Sequence, residues 1–241
     1  MTGALRGVVA LDGPSGTGKT TVARKLADRL GASYLDTGAM YRMVTLAVLR
    51  AGTDPADADA VAALAEKADL AIGTSPERAD IRLGGEDVAA DIRGPEVTKA
   101  VSAVSSVPRV RELLVARQRR IIEDVLESGA GIVVEGRDIG TVVAPDSPLK
   151  VYLTASADVR ASRRSSQDSA AGRQSSVADA LASVERRDHL DSTRATSPLR
   201  PADDAVHVDT SELSIDQVIV ALSELASHRG LLAGCNAEVA R

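Results

Sequence analysis

Short apolar runs alternate with longer segments of helical spacing along the first fifty residues of the chain. Residues 8–12 form a continuous apolar run, which is typical of a strand buried in a parallel sheet. In residues 19–30 the apolar side chains recur every three or four positions, which predicts an amphipathic helix that Gly31 would end. A strand at 33–36 and a helix at 38–50 follow. This βαβα order predicts a parallel sheet covered by helices.

The pattern changes near residue 53. A helix rich in alanine and aspartate is predicted at 55–68. Short apolar runs follow at 70–72 and 81–83, and the pair Gly84-Gly85 directly after the second run predicts the turn of a hairpin between short strands. We interpret 53–95 as a small unit inserted into the sheet pattern.

The alternation of strands and helices resumes after this insert. Helical spacing extends over 96–126 and is interrupted at Pro108. The elements predicted beyond this point are strands at 131–135, 150–153 and 205–208 and helices at 158–167, 177–194 and 215–228. The polar stretch 168–175 is rich in serine, contains Gly172 and predicts a mobile loop. The predicted organisation has three parts, which are a core at 1–52 and 96–230, the insert at 53–95 and a tail at 231–241.

The composition is ordinary for a soluble globular protein, with 44% hydrophobic and 26% charged residues. The net charge of −5 argues against a nucleic-acid-binding protein that relies on bulk electrostatics. No apolar segment is long enough to span a bilayer, and no signal-peptide pattern is visible. The single cysteine, Cys235, has no partner for an internal disulfide. We therefore expect a cytoplasmic monomer that binds neither nucleic acid nor membranes.

A phosphate-binding motif follows the first predicted strand and opens the first predicted helix. The match to G-x-x-x-x-G-K-[ST] consists of Gly13, Pro14, Ser15, Gly16, Thr17, Gly18, Lys19 and Thr20. Glycines let backbone N–H groups converge on phosphate oxygens, and the helix N-terminus adds its positive dipole end. In such a loop Lys19 reaches the β- and γ-phosphates, and the Thr20 hydroxyl suits Mg²⁺.

The loop alone does not identify the reaction. GTPases usually read guanine with an Asn-Lys-x-Asp motif, and the only asparagine of this chain is Asn236. ATPase motors usually carry Asp-Glu after a hydrophobic strand, whereas residues 134–138 read Val-Glu-Gly-Arg-Asp. Arg137 follows a strand, close to the crevice where open α/β sheets bind ligands. It indicates a second anion opposite the ATP.

Five stretches of the chain resemble bacterial cytidylate kinases in sequence and in order. They are residues 11–19, 35–42, 107–111 and 136–143 and the run from Arg187 through Asp191 to Arg194. The resemblance extends over about residues 8–225. Thr37 stands where serine is also common, and residues 189–190 and 192–193 stand where charged residues are frequent.

This resemblance implies an α/β nucleoside monophosphate kinase fold, in which helices flank a five-stranded parallel sheet around the P-loop. The insert at 53–95 would be the nucleoside monophosphate-binding region, and 158–175 would be the lid. The implied substrates are ATP, as phosphoryl donor with Mg²⁺, and CMP or dCMP, as acceptor.

The resemblance also implies roles for individual side chains. The phosphate of CMP would be held by Arg42, Arg137 and Arg194 near Thr37, the ribose hydroxyls by Arg187 and Asp191, and the base by Ser102, Arg111 and Asp138. The transferring phosphoryl group would be reached from the lid by Arg160, Arg163 and Arg164.

Each of these side chains also has an ordinary structural interpretation. Arg42 and Arg111 could lie on solvated helix faces, and Asp138 could cap the turn after its strand. Arg187 and Asp191 are four residues apart and could form a helix-surface pair. The lid arginines could form a basic helix surface.

Two other functions stay open for the whole chain. The first is a P-loop kinase for another small acceptor, such as a different nucleoside monophosphate or shikimate. The second is an ATP-binding switch that hydrolyses ATP slowly. Only the kinases need a set of arginines converging on a second anion.

Overall fold

The order of helices and strands follows the predicted alternation. The computed structural model describes residues 3–78, 80–170, 172 and 176–233, so Cys235, Asn236 and most of the predicted tail lie outside the described residues. The elements are β1 (Val8–Asp12), α1 (Lys19–Arg29), β2 (Ser33–Asp36), α2 (Thr37–Arg50), α3 (Ala58–Lys67), β3 (Leu70–Ile72), β4 (Ile81–Leu83), β5 (Glu86–Asp87), α4 (Pro95–Ser106), α5 (Pro108–Glu127), β6 (Ile132–Glu135), β7 (Leu149–Thr154), α6 (Ala157–Ala170), α7 (Val177–Thr193), β8 (Val206–Asp209) and α8 (Ile215–His228).

The central sheet has five parallel strands in the order β2-β6-β1-β7-β8. This confirms the predicted α/β fold with a five-stranded parallel sheet. Strand β1 lies in the middle and is buried along its whole length. Its alternate residues face opposite sides: Val8 and Ala10 join one hydrophobic cluster, and Val9 and Leu11 join the other.

The insert forms an antiparallel sheet of β3, β4 and β5, with the predicted hairpin turn at Gly84-Gly85. Its apolar side chains, such as Leu70 and Ile81, are buried in the same cluster as Val8 of the central sheet. The insert is therefore packed onto one face of the parallel sheet.

Two segments differ in detail from the prediction. Helix α6 continues to Ala170, so the predicted loop at 168–175 begins as helix, while residues 171 and 173–175 lie outside the described part. A π-helical turn at Ile139–Val143, which the pattern does not predict, follows β6. No helix within the described ranges is long and apolar enough to cross a membrane.

Parallel strands bring their carboxyl ends to one edge of the sheet. The P-loop follows β1, Thr37 follows β2, and residues 136–138 follow β6. The phosphate-binding motif and the segment that carries Arg137 are thus neighbours because β1 pairs directly with β6.

Candidate active site

The P-loop is closed around the side chain of Lys19. Gly13 and Gly18 have φ angles of +147° and +89°, which favour glycine, and a Cβ atom at Gly13 would clash with the backbone of β7. Lys19 Nζ donates hydrogen bonds to Pro14 O at 2.6 Å and to Thr17 Oγ1 at 3.3 Å. Burial, and then the charge of Arg137, lowers the pKa of Lys19 well below its ordinary value. The positive charge of Lys19 is therefore poorly compensated by its surroundings, and an anion bound in the loop would stabilise it.

A carboxylate lies beside the first turn of α1. Glu135, the last residue of β6, accepts a hydrogen bond from Thr20 Oγ1 at 3.1 Å and another from the Tyr34 hydroxyl. Burial raises the pKa of Glu135 to about 7. The hydroxyl predicted to serve Mg²⁺ is therefore paired with a buried acid.

One cleft collects most of the predicted site residues. Those that line it are Ser15, Gly16, Gly18, Lys19, Thr20, Thr37, Arg42, Ser102, Arg111, Arg137, Asp138, Arg187, Asp191 and Arg194. Gly13, Pro14 and Thr17 belong to the loop but do not line the cleft. Elements far apart in sequence thus place the P-loop and a group of arginine side chains around the same cleft.

Arginines of the cleft are only partly neutralised. Arg137 Nε donates to Asp191 Oδ2 at 3.1 Å, whereas Arg42 Nη1 donates to neutral acceptors, one of them Ile92 O at 2.9 Å. Burial, then the charge of Arg187, lowers the pKa of Arg42 to about 9, and burial, then Arg137, lowers the pKa of Arg187 to about 10. Positive charges that repel one another in this way favour an anionic ligand.

A buried ion pair also lines the cleft. Arg111 and Asp138, 2% and 4% exposed, are paired through Arg111 Nη2 and Asp138 Oδ2. The Arg111 guanidinium also lies 5.2 Å from the centre of the Tyr41 ring. Arg111 Nε and Arg194 Nη2 are buried and have no hydrogen-bond partner among the residues that the structure describes, although Arg194 Nη2 lies 4.0 Å from Asp138 Oδ1. Unpaired buried donors are costly, so these atoms fit the acceptors of a polar ligand.

Asp12 holds the turn that carries this pair. Its two carboxylate oxygens accept hydrogen bonds from Ile139 N at 2.9 Å and Gly140 N at 2.8 Å. The side chain of Asp138 makes no capping hydrogen bond to the turn. The capping interpretation of Asp138 is therefore wrong, because Asp12 at the end of β1 supplies the cap and Asp138 pairs with Arg111.

The other structural interpretations differ from the observed contacts in a similar way. Arg111 is buried rather than on a solvated helix face. Asp191 pairs with Arg137 from another element, not with Arg187 on its own helix. Thr37 Oγ1 donates to Glu135 O at 2.7 Å, which fixes the start of α2 against β6.

The predicted lid arginines point in different directions. Arg160 and Arg163 lie behind the P-loop: Arg160 donates to Ser15 O at 3.1 Å and Arg163 to Thr210 O at 2.7 Å. Neither lines the cleft, whereas Arg164 does and is paired with Asp168 at 3.2 Å. Neighbouring helical positions face about 100° apart, which agrees with the different contacts of Arg163 and Arg164.

The family model described as "Cytidylate kinase" matches residues 9–228. The chain belongs to the cytidylate kinase family. The resemblance seen in its motifs is thereby confirmed.

Similar proteins cover nearly all of the chain. The "Cytidylate kinase" of Rhodococcus opacus (strain B4) is 63% identical over 222 residues, which are 92% of this chain and 95% of that protein. The "Cytidylate kinase" of Mycobacterium avium (strain 104) is 58% identical over 227 residues, 94% of this chain and 97% of that protein. A solved structure of an uncharacterized protein from Eubacterium ventriosum ATCC 27560 has a similar fold, with a TM-score of 0.50 and 12% identity over 92% of this chain and 99% of that one.

Sequence reasoning missed several residues in and around this cleft. Asp12 and Glu135 end buried strands, and acidic residues at such positions are the signal that could have identified them. Asp188, next to Arg187, accepts a hydrogen bond from Ser15 N at 3.1 Å. Nothing in the local pattern around Asp188 indicates this contact.

Proposed function

We propose that the protein transfers the γ-phosphate of ATP to the phosphate of CMP, giving ADP and CDP. The observation that carries this proposal is the buried pair of Arg111 and Asp138 in the same cleft as the P-loop. A slowly hydrolysing switch has no need of such a pair or of several arginines around a second anion. The names of the similar proteins agree with a cytidylate acceptor.

Product analysis tests the proposal. Incubation with ATP and CMP should give CDP and ADP in equal amounts, which ion-exchange chromatography separates. ADP formed without CDP would indicate an ATP-hydrolysing switch instead.

Charge determines the proposed mechanism. The phosphate of CMP is already an anionic oxygen nucleophile at neutral pH, so no general base is needed. The obstacle is repulsion between this anion and the triphosphate, and catalysis must come from positioning and charge neutralisation. We assign Lys19 to the β- and γ-phosphates of ATP. We assign Arg42, Arg137 and Arg194 to the phosphate of CMP, with Thr37 nearby.

Hydrogen-bond chemistry supports cytosine as the base. Asp138 Oδ2 is engaged by Arg111, which leaves Oδ1 to accept from the N4 amino group. The unpaired Arg111 Nε can donate to N3 or O2 of cytosine, and Ser102 can adjust as donor or acceptor. We assign the ribose hydroxyls to Arg187 and Asp191. We include dCMP as an acceptor because the contacts assigned to the base and phosphate do not require the 2′-hydroxyl.

Mg²⁺ fits the mouth of the P-loop. The Thr20 hydroxyl and the Glu135 carboxylate are adjacent there, and hard oxygen ligands are those that Mg²⁺ prefers. Among the described residues no group of three or more His, Cys, Asp or Glu could hold a metal. This is compatible with Mg²⁺ held by one or two side chains and by the nucleotide phosphates. We propose that Thr20 holds the ion, which when bound would neutralise charge on the phosphate oxygens.

Closure of the lid should be visible by hydrogen exchange. Arg164 lines the cleft from α6, so we expect amides of the predicted lid at 158–175 to exchange more slowly when CMP and an ATP analogue are bound together. The analogue alone should have a smaller effect. Unchanged exchange in the doubly liganded protein would mean that this segment is an ordinary surface helix.

A further inference from the structure

Ser15 of the P-loop is held by groups from two helices. Its backbone N–H donates to Asp188 Oδ1 at 3.1 Å, and its carbonyl oxygen accepts from Arg160 Nη1 at 3.1 Å. Its hydroxyl accepts from Arg187 Nη1 at 3.2 Å. One loop residue is therefore bound through its donor, its acceptor and its side chain.

The groups that bind the backbone of Ser15 also bind each other. Arg160 on α6 and Asp188 on α7 form an ion pair whose side chains are 11% and 21% exposed. Arg160 Nε donates in addition to Ala155 O at 3.0 Å, directly after β7. The guanidinium is thus fixed in one direction, and its hydrogen bonds to a carboxylate and to carbonyl groups are charge-assisted.

Because Asp188 lies on α7, this ion pair connects the P-loop to other side chains of that helix. Arg187 and Asp191 lie on the same helix, and both line the cleft, where we assign them to the ribose of the acceptor. If Ser15 moves when phosphates enter the loop, two hydrogen bonds change: the one from Ser15 N–H to Asp188 and the one from Arg160 to the Ser15 carbonyl oxygen. Since a rigid helix moves as a unit, such a change would reposition Arg187 and Asp191 together.

We propose that Asp188, paired with Arg160, is a positioning residue that couples occupancy of the P-loop to the placement of α7. Binding of ATP then orders the acceptor-binding side chains, so that ATP and the acceptor bind with positive cooperativity. The acceptor half of this statement rests on the proposed function, and the ATP half does not. Arg160 acts in this scheme through Ser15 and Asp188, without touching the transferring phosphoryl group.

Hydrogen exchange of α7 with a non-hydrolysable ATP analogue alone tests the coupling. In the wild type the amides of Val177–Thr193 should exchange severalfold more slowly once the analogue is bound. In Asp188→Asn this ratio of free to bound rates should fall close to one. The asparagine amide has only one acceptor oxygen, so it cannot replace the two carboxylate oxygens that accept from Ser15 N–H and from Arg160. If the ion pair only stabilised the fold, its loss would change the exchange rates of the free and the bound protein by the same factor and leave their ratio unchanged. Glu185→Gln, the same change at an exposed position of α7, should behave as wild type.

A binding cycle supplies the second readout. The affinity of the analogue should rise in the presence of CMP by a factor of about 5 to 150 in the wild type, the usual range of coupling between sites, and by much less in Asp188→Asn. Arg160→Lys keeps the charge but lacks the planar fork, so it should lose the coupling as well, and it replaces Asp188→Asn if that variant does not fold.

The outcomes separate the two proposals. The proposed coupling would be overturned if Asp188→Asn or Arg160→Lys kept the exchange ratio of the wild type. It would also be overturned if exchange of α7 in the wild type did not respond to the analogue. Failure of CMP to bind the wild type would instead overturn the proposed acceptor, while the exchange ratios still decide the coupling.

Discussion

Replacing Lys19 with alanine should lower kcat by a factor on the order of 10²–10³ or more, by analogy with the loss of one donor aimed at developing charge. The Nζ atom lies inside the P-loop, where it donates hydrogen bonds to Pro14 O and Thr17 Oγ1. Its lowered pKa means that the fold does not gain from this charge. The variant should therefore unfold at a temperature close to that of the wild type. Calorimetry measures this temperature, and steady-state kinetics measure kcat.

Lys25→Ala is the matched control for this variant. Lys25 lies on the same helix, with its side chain 54% exposed in a long contact with Asp216, so its loss should leave kcat unchanged. Near-wild-type turnover of Lys19→Ala would remove the phosphotransferase interpretation.

Asp138→Ala should reduce turnover of CMP and compress the preference for CMP over UMP. Cytosine presents an amino donor at N4 where uracil presents a carbonyl acceptor, and a carboxylate only accepts. A mismatched contact of this kind is worth about 1–3 kcal/mol, which is roughly tenfold to over a hundredfold in kcat/KM. Affinity for ATP should change little, because the P-loop is a separate part of the cleft.

The structure adds a consequence for stability. Asp138 is the partner of the buried Arg111, and removing one member of a buried ion pair costs about 3–5 kcal/mol. Asp138→Asn retains an acceptor for Arg111 and adds a donor suited to uracil O4, so it should be better folded than Asp138→Ala and should shift the preference toward UMP. Steady-state kcat/KM for both acceptors, with thermal unfolding, distinguishes these effects. An intact CMP preference in both variants would contradict the assignment of Asp138.

Local spacing was sufficient to predict the framework of the fold. The apolar run of β1, the glycines of the P-loop and the break at Pro108 are each determined by neighbouring residues, and the observed elements match them closely. The position of Arg137 after a strand also predicts that it lies near the ligand crevice, whereas the other residues of the acceptor site were indicated by the family resemblance.

Contacts across long sequence separations could not be predicted in this way. Asp12 binds the turn at Gly140, 128 residues away, and Ser15 binds Asp188, 173 residues away. Both contacts depend on how whole elements pack: the acid at the end of buried β1 indicates a special role for Asp12 but not its partner, and nothing in the sequence around Asp188 indicates its contact. The directions of Arg160 and Arg163 were uncertain for a related reason, since helical phase alone does not say which face meets the P-loop.

The acceptor preference of the unmodified protein tests the central claim most directly. Release of ADP from ATP should be measured with CMP, UMP and AMP as alternative acceptors, and kcat/KM compared among them. We predict that CMP exceeds UMP by roughly tenfold or more, because UMP would set its O4 against the Asp138 carboxylate. Equal or greater kcat/KM for UMP or AMP would contradict the proposal that this cleft is built for cytidylate.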